Sequence, residues 1–423
     1  SRVQAQIQKH TPQHAPGGVM GYVKWGFGND NAPMQLAANS GMTFVGVGKA
    51  RQGGEQLLWR VGTQGGQTQL VQTTARTADL VRGTFMNYVG RDTLPPLRLY
   101  TYVSSAANGI RGTLAVGGTT KERLPIRAMK EGMAEYAVYP RALSATERMR
   151  VESAMALRHG ITLNHSYFNS KGLVVRNYYR LKAYNHRVAG IIGDSTSCLY
   201  LSTGQSAEGE AVVRVAAKAI GEGASYLWGD NAKRLAFAAD RGNGKWMQRR
   251  WAATTTGTPV AGMTLTLDTR SIRQLEPLGE GESYYLAVDN SGTGKFPVGQ
   301  LRYYKAHMGQ ADSVTFMGIS AGVGESVFTF RAAKDFFSTI DVEQPRCSTG
   351  AKGALRVLLT GGTPPYRLTA SVDGKAVCVH ATADSIVTVP SLTQGKYVIV
   401  AYDSSGKSLC SEVTLHNADL ADV

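Results

Sequence analysis

The sequence predicts a mainly all-β chain of several sandwich domains. Three observations point there: short apolar runs bounded by glycine and turn residues, a composition rich in Gly and Tyr but sparing in charge, and one long stretch of helical period. The 423 residues suffice for two to four domains, each with its own core. Hydrophobic residues make up 43% and charged residues 18%, with 49 Gly and 19 Tyr, a mix too apolar for a disordered chain and suited to a turn-rich β protein. A run such as Thr43-Phe44-Val45-Gly46-Val47-Gly48 reads as a strand, because β-branched and aromatic side chains pack well on a pleated surface.

Residues 1–16, through Gln4, Gln6, Gln8, His10 and Pro12, have no apolar period and are expected to form an N-terminal arm. From Gly17 to about Tyr139, short apolar runs alternate with Gly, Asn, Asp and Pro. Examples are Gln56-Leu57-Leu58-Trp59-Arg60-Val61, Leu97-Arg98-Leu99-Tyr100-Thr101-Tyr102-Val103 and Gly112-Thr113-Leu114-Ala115-Val116. Strands at this spacing argue for a sandwich. The period then changes. Ser144 and Glu147 make an S-x-x-E capping box, Val151, Ala154, Met155 and Arg158 share one helical face, and Gly160 stands where a helix would stop. A helix over 144–159 therefore closes a first domain at 17–163. Val151 and Met155 are expected to be buried against the sandwich, and Glu152 exposed.

Lys and Arg total 46 against 31 Asp and Glu, a formal net charge of +15. A basic surface attracts polyanions. The cations are scattered, and the nearest thing to a basic-aromatic cluster is Arg249-Arg250 between Trp246 and Trp251. In a strand those two arginines point to opposite faces, which argues against one stacked platform and against a nucleic-acid partner. No apolar run approaches the ~20 residues that cross a bilayer, so no transmembrane segment is expected. The chain starts at Ser1, so a signal peptide would have been removed or not included, and no early cysteine offers a lipid attachment site. The cysteines are Cys198, Cys347, Cys378 and Cys410, three of them crowded near the C-terminal end. That density suits one disulfide in a small exported domain, with Cys198 a buried thiol outside it, and sequence alone leaves the pairing open.

The strand and turn Glu135-Tyr136-Ala137-Val138-Tyr139-Pro140-Arg141-Ala142-Leu143-Ser144-Ala145-Thr146-Glu147-Arg148 resembles the end of concanavalin A-like (laminin-G-like) domains in Bacteroidota surface proteins. Their pattern there is E-x-x-x-Y-x-R-x-L-S-x-x-E-R, and Arg158-His159-Gly160-Ile161-Thr162-Leu163 is similar to the end of the helix that follows. The resemblance implies a concanavalin A-like β-sandwich with a C-terminal helix. Residues 164–340 are similar to the second β-rich domain that commonly follows it, through Val188-Ala189-Gly190-Ile191-Ile192-Gly193-Asp194, Tyr226-Leu227-Trp228-Gly229-Asp230-Asn231 and Tyr284-Tyr285-Leu286-Ala287-Val288-Asp289-Asn290-Ser291-Gly292. Residues 341–423, with Gly361-Gly362-Thr363-Pro364-Pro365-Tyr366 and Gly395-Lys396-Tyr397-Val398, resemble the small immunoglobulin-like β-sandwich repeat of gliding adhesins. A type IX secretion-signal domain ends in a similar pattern, and the GGTPPY turn favours the adhesin repeat. That repeat carries one Cys before its first strand and one after its last hairpin turn. The resemblance thus implies a disulfide between Cys347 and Cys410, with Cys378 a departure that leaves the pairing in doubt.

Candidate chemistry is sparse. Gly318-Ile319-Ser320-Ala321-Gly322 matches G-x-S-x-G, but a nucleophile elbow needs a strand, a sharp turn and a helix, and the flanking residues predict a hairpin. Glycoside hydrolysis needs paired carboxylates. Glu131 and Glu135 have the spacing for one strand face, yet Glu135 belongs to the structural terminal strand. The loop Asp289-Asn290-Ser291-Gly292-Thr293-Gly294 lacks the acids of a tight calcium site, leaving a weak one at most. His10 and His14 lie in the arm, and Cys378-Val379-His380 lacks further ligands, so no zinc site is expected. Trp25, Tyr88, Tyr100 and Tyr102 are aromatics a lectin could use, though strand aromatics more often belong to the core. The expectation is a non-enzymatic, cofactor-free structural or adhesion protein of the cell surface or extracellular space. It would be outer-membrane associated and act through protein or glycan contacts. Two other readings stand beside it: an accessory subunit of a type IX secretion, gliding or nutrient-uptake assembly, and a carbohydrate-binding lectin.

Overall fold

A computed structural model describes residues 15–28, 34–38, 41–49, 55–63, 68–80, 84–87, 97–105, 110–117, 127–128, 133–239, 244–272, 278–308 and 312–420. Of the described residues 58% are strand and 8% helical, so the expected mainly β fold class is the one found. Almost all of the expected N-terminal arm lies outside the described residues. The chain divides into two compact units, residues 1–228 with 255–260, and residues 229–254 with 261–423.

The first unit opens with β1 (Lys24–Gly26), β2 (Met34–Ala38), β3 (Met42–Lys49), β4 (Gln56–Gly62), β5 (Thr68–Thr73), β6 (Arg76–Asp79), β7 (Thr84–Asn87), β8 (Leu97–Ser104), β9 (Ile110–Val116), β10 (Arg127–Ala128) and β11 (Met133–Tyr139). These make two sheets, β1-β11-β3-β8 and β2-β9-β4-β5-β6-β7, with β10 parallel to β4. Residues from both sheets, among them Phe44, Leu58, Trp59, Leu114, Met133 and Tyr136, share one core, which makes the pair a sandwich. Phe44 stacks on Tyr136 and lies 5.4 Å from Trp59. The Trp59 indole N–H donates to Gln72 Oε1 at 2.6 Å, so the one polar atom of that buried ring is satisfied.

Strand β3 is buried on both faces. Because side chains alternate, Phe44 enters the sandwich core while Val45 and Val47 turn to a second cluster built on the helix α1 (Ala145–His159). The helix ends are the expected ones. The Ser144 hydroxyl accepts the Glu147 N–H at 3.3 Å, the Glu147 carboxylate accepts the Ser144 N–H at 3.0 Å, and Arg141 holds the same carboxylate through two bonds of 2.9 and 2.8 Å. Gly160 ends the helix with φ 66°, and a Cβ there would stand 2.5 Å from the Gln205 carbonyl oxygen. Val151 and Met155 are fully buried, as expected. Glu152 corrects the expectation: it is 5% exposed, not open to solvent. The reason is a set of partners the helical period does not reveal: Thr101 of β8 donates to the Glu152 carboxylate, and His165, after the helix, faces it. The helix cluster also takes in Val188, Ile192 and Leu199 from the strands His186–Asp194 and Leu199–Leu201, so α1 is covered by more than the sandwich.

In the second unit, Glu282–Asp289 pairs with Leu301–Lys305 and with Gly324–Lys334, whose other neighbour Lys245–Met247 pairs in turn with Phe237–Ala239. Arg331 is 1% exposed on this sheet, its guanidinium 4.3 Å from the Phe337 ring and 5.1 Å from Trp246, donating to the Tyr303 and Thr339 hydroxyls. The chain ends in a second two-sheet sandwich. One sheet orders Phe336–Glu343, Gly353–Gly361 and Ile386–Leu392. The other orders Lys375–Thr382, Tyr366–Val372, Gly395–Tyr402 and Ser408–Leu415. Leu355, Val357, Leu368, Ile399 and Leu409 fill the core between them.

All four cysteines are thiols, so the Cys347–Cys410 disulfide implied by the adhesin resemblance is not formed. The register explains why. Cys347 lies in a turn whose N–H reaches Asn417 Oδ1, beyond the far end of Ser408–Leu415, whereas Cys410 sits five residues before that end. At roughly 3.3 Å per residue that separation is well past the ~6 Å between Cα atoms that a disulfide spans. Cys378 lies on Lys375–Thr382 at the opposite edge of the sheet from Cys410. Cys198 is a half-buried thiol packed against the helix cluster.

Candidate functional site

A cleft of about 640 Å³ with a mixed polar and apolar lining lies in the first unit beside α1. Strand β8 supplies Leu97, Arg98, Leu99 and Thr101, α1 supplies Arg148 and Glu152 one turn apart, and the chain leaving the helix supplies Thr162, Asn164 and His165, with Glu208 nearby. Alternation on β8 sends Tyr100 into the sandwich core and leaves Thr101 on the helix side. Glu152 is the centre of the arrangement. Its carboxylate accepts the Thr101 hydroxyl at 2.6 Å, faces His165 Nε2 at 2.8 Å, and stands 3.9 Å from Arg148 Nε. Buried carboxylates need such partners to offset their desolvation.

His165 has an acceptor on each side of its ring: the Ser166 carbonyl at 2.7 Å from Nδ1 and Glu152 at Nε2. Two acceptors call for two donors, which is the imidazolium form. Burial opposes that charge, but the hydrogen bonds to Glu152 and the Ser166 carbonyl outweigh it and raise the His165 pKa above its ordinary value. Arg148 Nε is buried in the cleft wall with no hydrogen-bond partner among the described residues. Glu208 accepts the Thr162 N–H at 3.1 Å. The cleft therefore presents cationic donors, hydroxyls and carboxylates to a polar guest. Its imidazole is committed at both nitrogens, to the Ser166 carbonyl and to Glu152.

The residues singled out in the sequence lie elsewhere. Ser320 is exposed near the end of the strand Ser313–Ala321, which turns directly into the strand Gly324–Lys334, so no strand-to-helix elbow forms; the two strands enter different sheets, which corrects the expected hairpin to a strand–turn–strand crossing between sheets. Glu135 is fully buried and pairs with Arg158, His159 and Trp25; Glu131 lies outside the described residues. The Asp289 carboxylate accepts five bonds from its own loop: the Ser291, Gly294 and Phe296 N–H groups and the Ser291 and Thr293 hydroxyls. A calcium ion there would have to displace them. Arg249 and Arg250 lie between strands and not within one. Arg249 Nε donates to the Lys233 carbonyl and Arg250 to that of Gly294, each at 2.6 Å. Trp25 and Tyr100 are buried, Tyr102 packs edge-on against Trp59, and Tyr88, His10 and His14 lie outside the described residues. His380 is exposed on the edge strand Lys375–Thr382. Thr101, Glu152 and His165 were not foreseen as a group, since nothing in their spacing marks them.

Fold and cleft together define a mainly β, multi-sandwich protein with a cleft beside its long helix. Residues 147–322, less than half of the chain, match the family described as Domain of unknown function (DUF8202). A comparison with curated proteins finds no match. Among solved structures, the chain is similar to the glycoside hydrolase domain of Endo-D from Streptococcus pneumoniae R6 at 9% identity and a TM-score of 0.16, over 45% of this chain and 37% of that one. The overlap spans little more than a third of that structure, and at that score it says nothing of shared fold or activity.

Proposed function

We propose that this chain is a non-enzymatic structural or adhesion protein of a cell surface or the extracellular space, acting through binding. The observation that supports this reading is the condition of the buried acids. Glu135 and Glu152 are held by cations, hydroxyls or ring nitrogens, and Asp194 and Asp289 by N–H groups and hydroxyls of nearby chain. General acids and bases need a proton to exchange with a substrate, and a carboxylate whose oxygens are already claimed is ill-suited to that. The surface location rests on the resemblance to exported Bacteroidota proteins. Assay of the purified chain against ester and glycoside panels should give no turnover, and Ser320→Ala should change nothing. Hydrolysis that vanishes in Glu152→Gln or Ser320→Ala would overturn the reading. Protease shaving of intact cells tests the location, the expected result being loss of the protein.

One observation favours the lectin version of this proposal: the cleft is large enough for a sugar unit and mixes donors and acceptors along its wall. A glycan array with the intact chain and with Arg148→Ala tests it. Binding that the substitution removes supports a lectin; no binding, or binding indifferent to Arg148, rejects it.

A further inference from the structure

Residues 153–193 contain no Asp or Glu, although 31 acids are spread over the whole chain, and they carry Arg158, Lys171, Arg176, Arg180, Lys182 and Arg187. Arg158 and Arg176 are buried and serve the interior. Two of the others stand on one small, tightly built feature, residues 177–185. Asn177 Oδ1 accepts the N–H groups of Tyr179 and Arg180, each at 3.0 Å, and the Asn185 side chain donates to the Tyr178 carbonyl at 2.7 Å. Beneath it, the buried Arg176 guanidinium donates to the Tyr184 carbonyl at 2.7 Å, and Leu181 anchors the turn with 7% exposure. Several backbone groups are thus satisfied from within the turn, and Tyr179, Arg180 and Lys182 stand exposed on it. Tyr179 is 77% exposed, braced edge-on by Tyr178 at 5.4 Å, and Arg180 and Lys182 beside it are exposed.

We infer that this knob is a docking surface for an acidic polysaccharide. The ring face of Tyr179 would lie on a sugar, and Arg180 and Lys182 would pair with carboxylate or sulfate groups along the same chain. An aromatic held out in water on a rigid turn loses little conformational entropy on binding, and a guanidinium matches a carboxylate in two bonds. The absence of Asp and Glu from residues 153–193 leaves this stretch of chain with a local excess of positive charge, which adds attraction for a polyanion. Single-stranded nucleic acid asks for successive stacking rings along a cationic track, and the knob offers one fully presented ring. A lipid surface asks for apolar tips that enter the acyl boundary, and the knob's tip ends in a phenol.

The test uses the full chain in calorimetric titrations with polygalacturonate and chondroitin sulfate. The comparison probes are methyl-esterified polygalacturonate, poly-glutamate, a single-stranded oligonucleotide and vesicles of anionic lipid. The inference expects binding to at least one acidic polysaccharide that falls at least tenfold in Tyr179→Ala and in Lys182→Glu, with unchanged thermal midpoints, and falls as salt rises. The esterified polymer should not bind. Binding to neither polysaccharide, or binding indifferent to both substitutions, would overturn it. So would equal, Tyr179-dependent binding of the oligonucleotide or of poly-glutamate, or vesicle binding that Leu173→Ser and Val174→Ser abolish.

Discussion

Glu135 of β11 and Arg158 of α1 form a buried ion pair that ties the last strand of the first sandwich to the helix following it. The carboxylate takes Arg158 and the Trp25 indole N–H, 3.0 Å away, on one oxygen and His159 Nε2, 2.9 Å away, on the other. Arg158 also donates to the Ser197 carbonyl at 3.0 Å and lies 5.9 Å from the Trp25 ring centre. Both side chains are almost wholly excluded from water, so each depends on the other for its charge. The E-x-x-x-Y motif thus has a physical reason for its first residue: Glu135 anchors the helix to the sheet.

Replacing Glu135 with Gln strands the Arg158 cation in the interior. Breaking a buried pair from one side costs on the order of 3–5 kcal/mol, and urea unfolding should register a loss of that size. A loss below ~1 kcal/mol, the level of an exposed ion pair, would contradict the assignment. The same pair predicts acid sensitivity. Burial raises the Glu135 pKa, but Arg158 and His159 more than reverse this and hold it at about 2. Because the folded value lies below the ordinary 4.5, the stabilisation is present above that pH and lost as pH falls toward 2. Stability of the native protein should fall more steeply across that window than stability of Glu135→Gln.

Gly160 and Gly172 offer a controlled comparison. Both have positive φ, 66° and 77°, and an alanine at either takes on the left-handed backbone cost of roughly 1–2 kcal/mol. At Gly172 the nearest atom to an added Cβ is 4.0 Å away, whereas at Gly160 it meets Gln205 O at 2.5 Å and Ala207 N at 2.8 Å. The neighbours cannot easily yield, because Ala207 N donates to the Gly160 carbonyl at 2.8 Å. Gly160→Ala should therefore be clearly more destabilising than Gly172→Ala in thermal unfolding, and equal losses would refute the close approach.

The capping box, Gly160 and the burial of Val151 and Met155 were legible because each depends on residues within a helical turn or two. The strand, turn and strand around Ser320 were legible for a similar reason, from glycines between β-branched runs, but not that the two strands join different sheets, which is set by distant partners. Glu152 was not. Its partners come from β8, about fifty residues earlier, and from the chain after the helix, so no local period announces its burial. The disulfide failed for a different reason. The presence of two cysteines in a module was readable, but their positions along Ser408–Leu415 and its flanking turn depend on register, which the resemblance supplied only by analogy.

His165 predicts a pH effect of opposite sense to that of Glu135. Its pKa is raised, against the effect of burial, by Glu152 and the Ser166 carbonyl. A raised value means the stabilisation is complete below the ordinary His pKa of about 6.5 and is lost as pH rises through the folded value. The charged groups on every side are Glu152 and Arg148 on α1, Arg98 on β8 and Glu208. The thermal midpoint should be higher at pH 6 than at pH 8 by a margin that shrinks in His165→Gln. An unchanged margin would show that the ring is not charged in the folded protein.

The final prediction concerns the thiols. Cys347 and Cys410 are exposed, and Cys198 and Cys378 are half-buried. Cys378 and Cys410 occupy opposite outer strands of one sheet, separated by Tyr366–Val372 and Gly395–Tyr402. With strands about 4.8 Å apart, that is roughly 14 Å across the sheet, more than twice the reach of a disulfide. Cys347 is removed from Cys410 along the strand instead of across it. Forming either bond would require the sandwich to give up its register, and with it the core of Leu355, Leu368 and Ile399. Alkylation of the protein in denaturant without reductant should therefore label four cysteines. In the native state Cys347 and Cys410 should react first, since access as well as thiolate character sets the rate. Two unlabelled cysteines in the denatured, non-reduced protein, mapped by peptide mass to 347 and 410, would mean that the turn and Ser408–Leu415 pack differently from the arrangement described above.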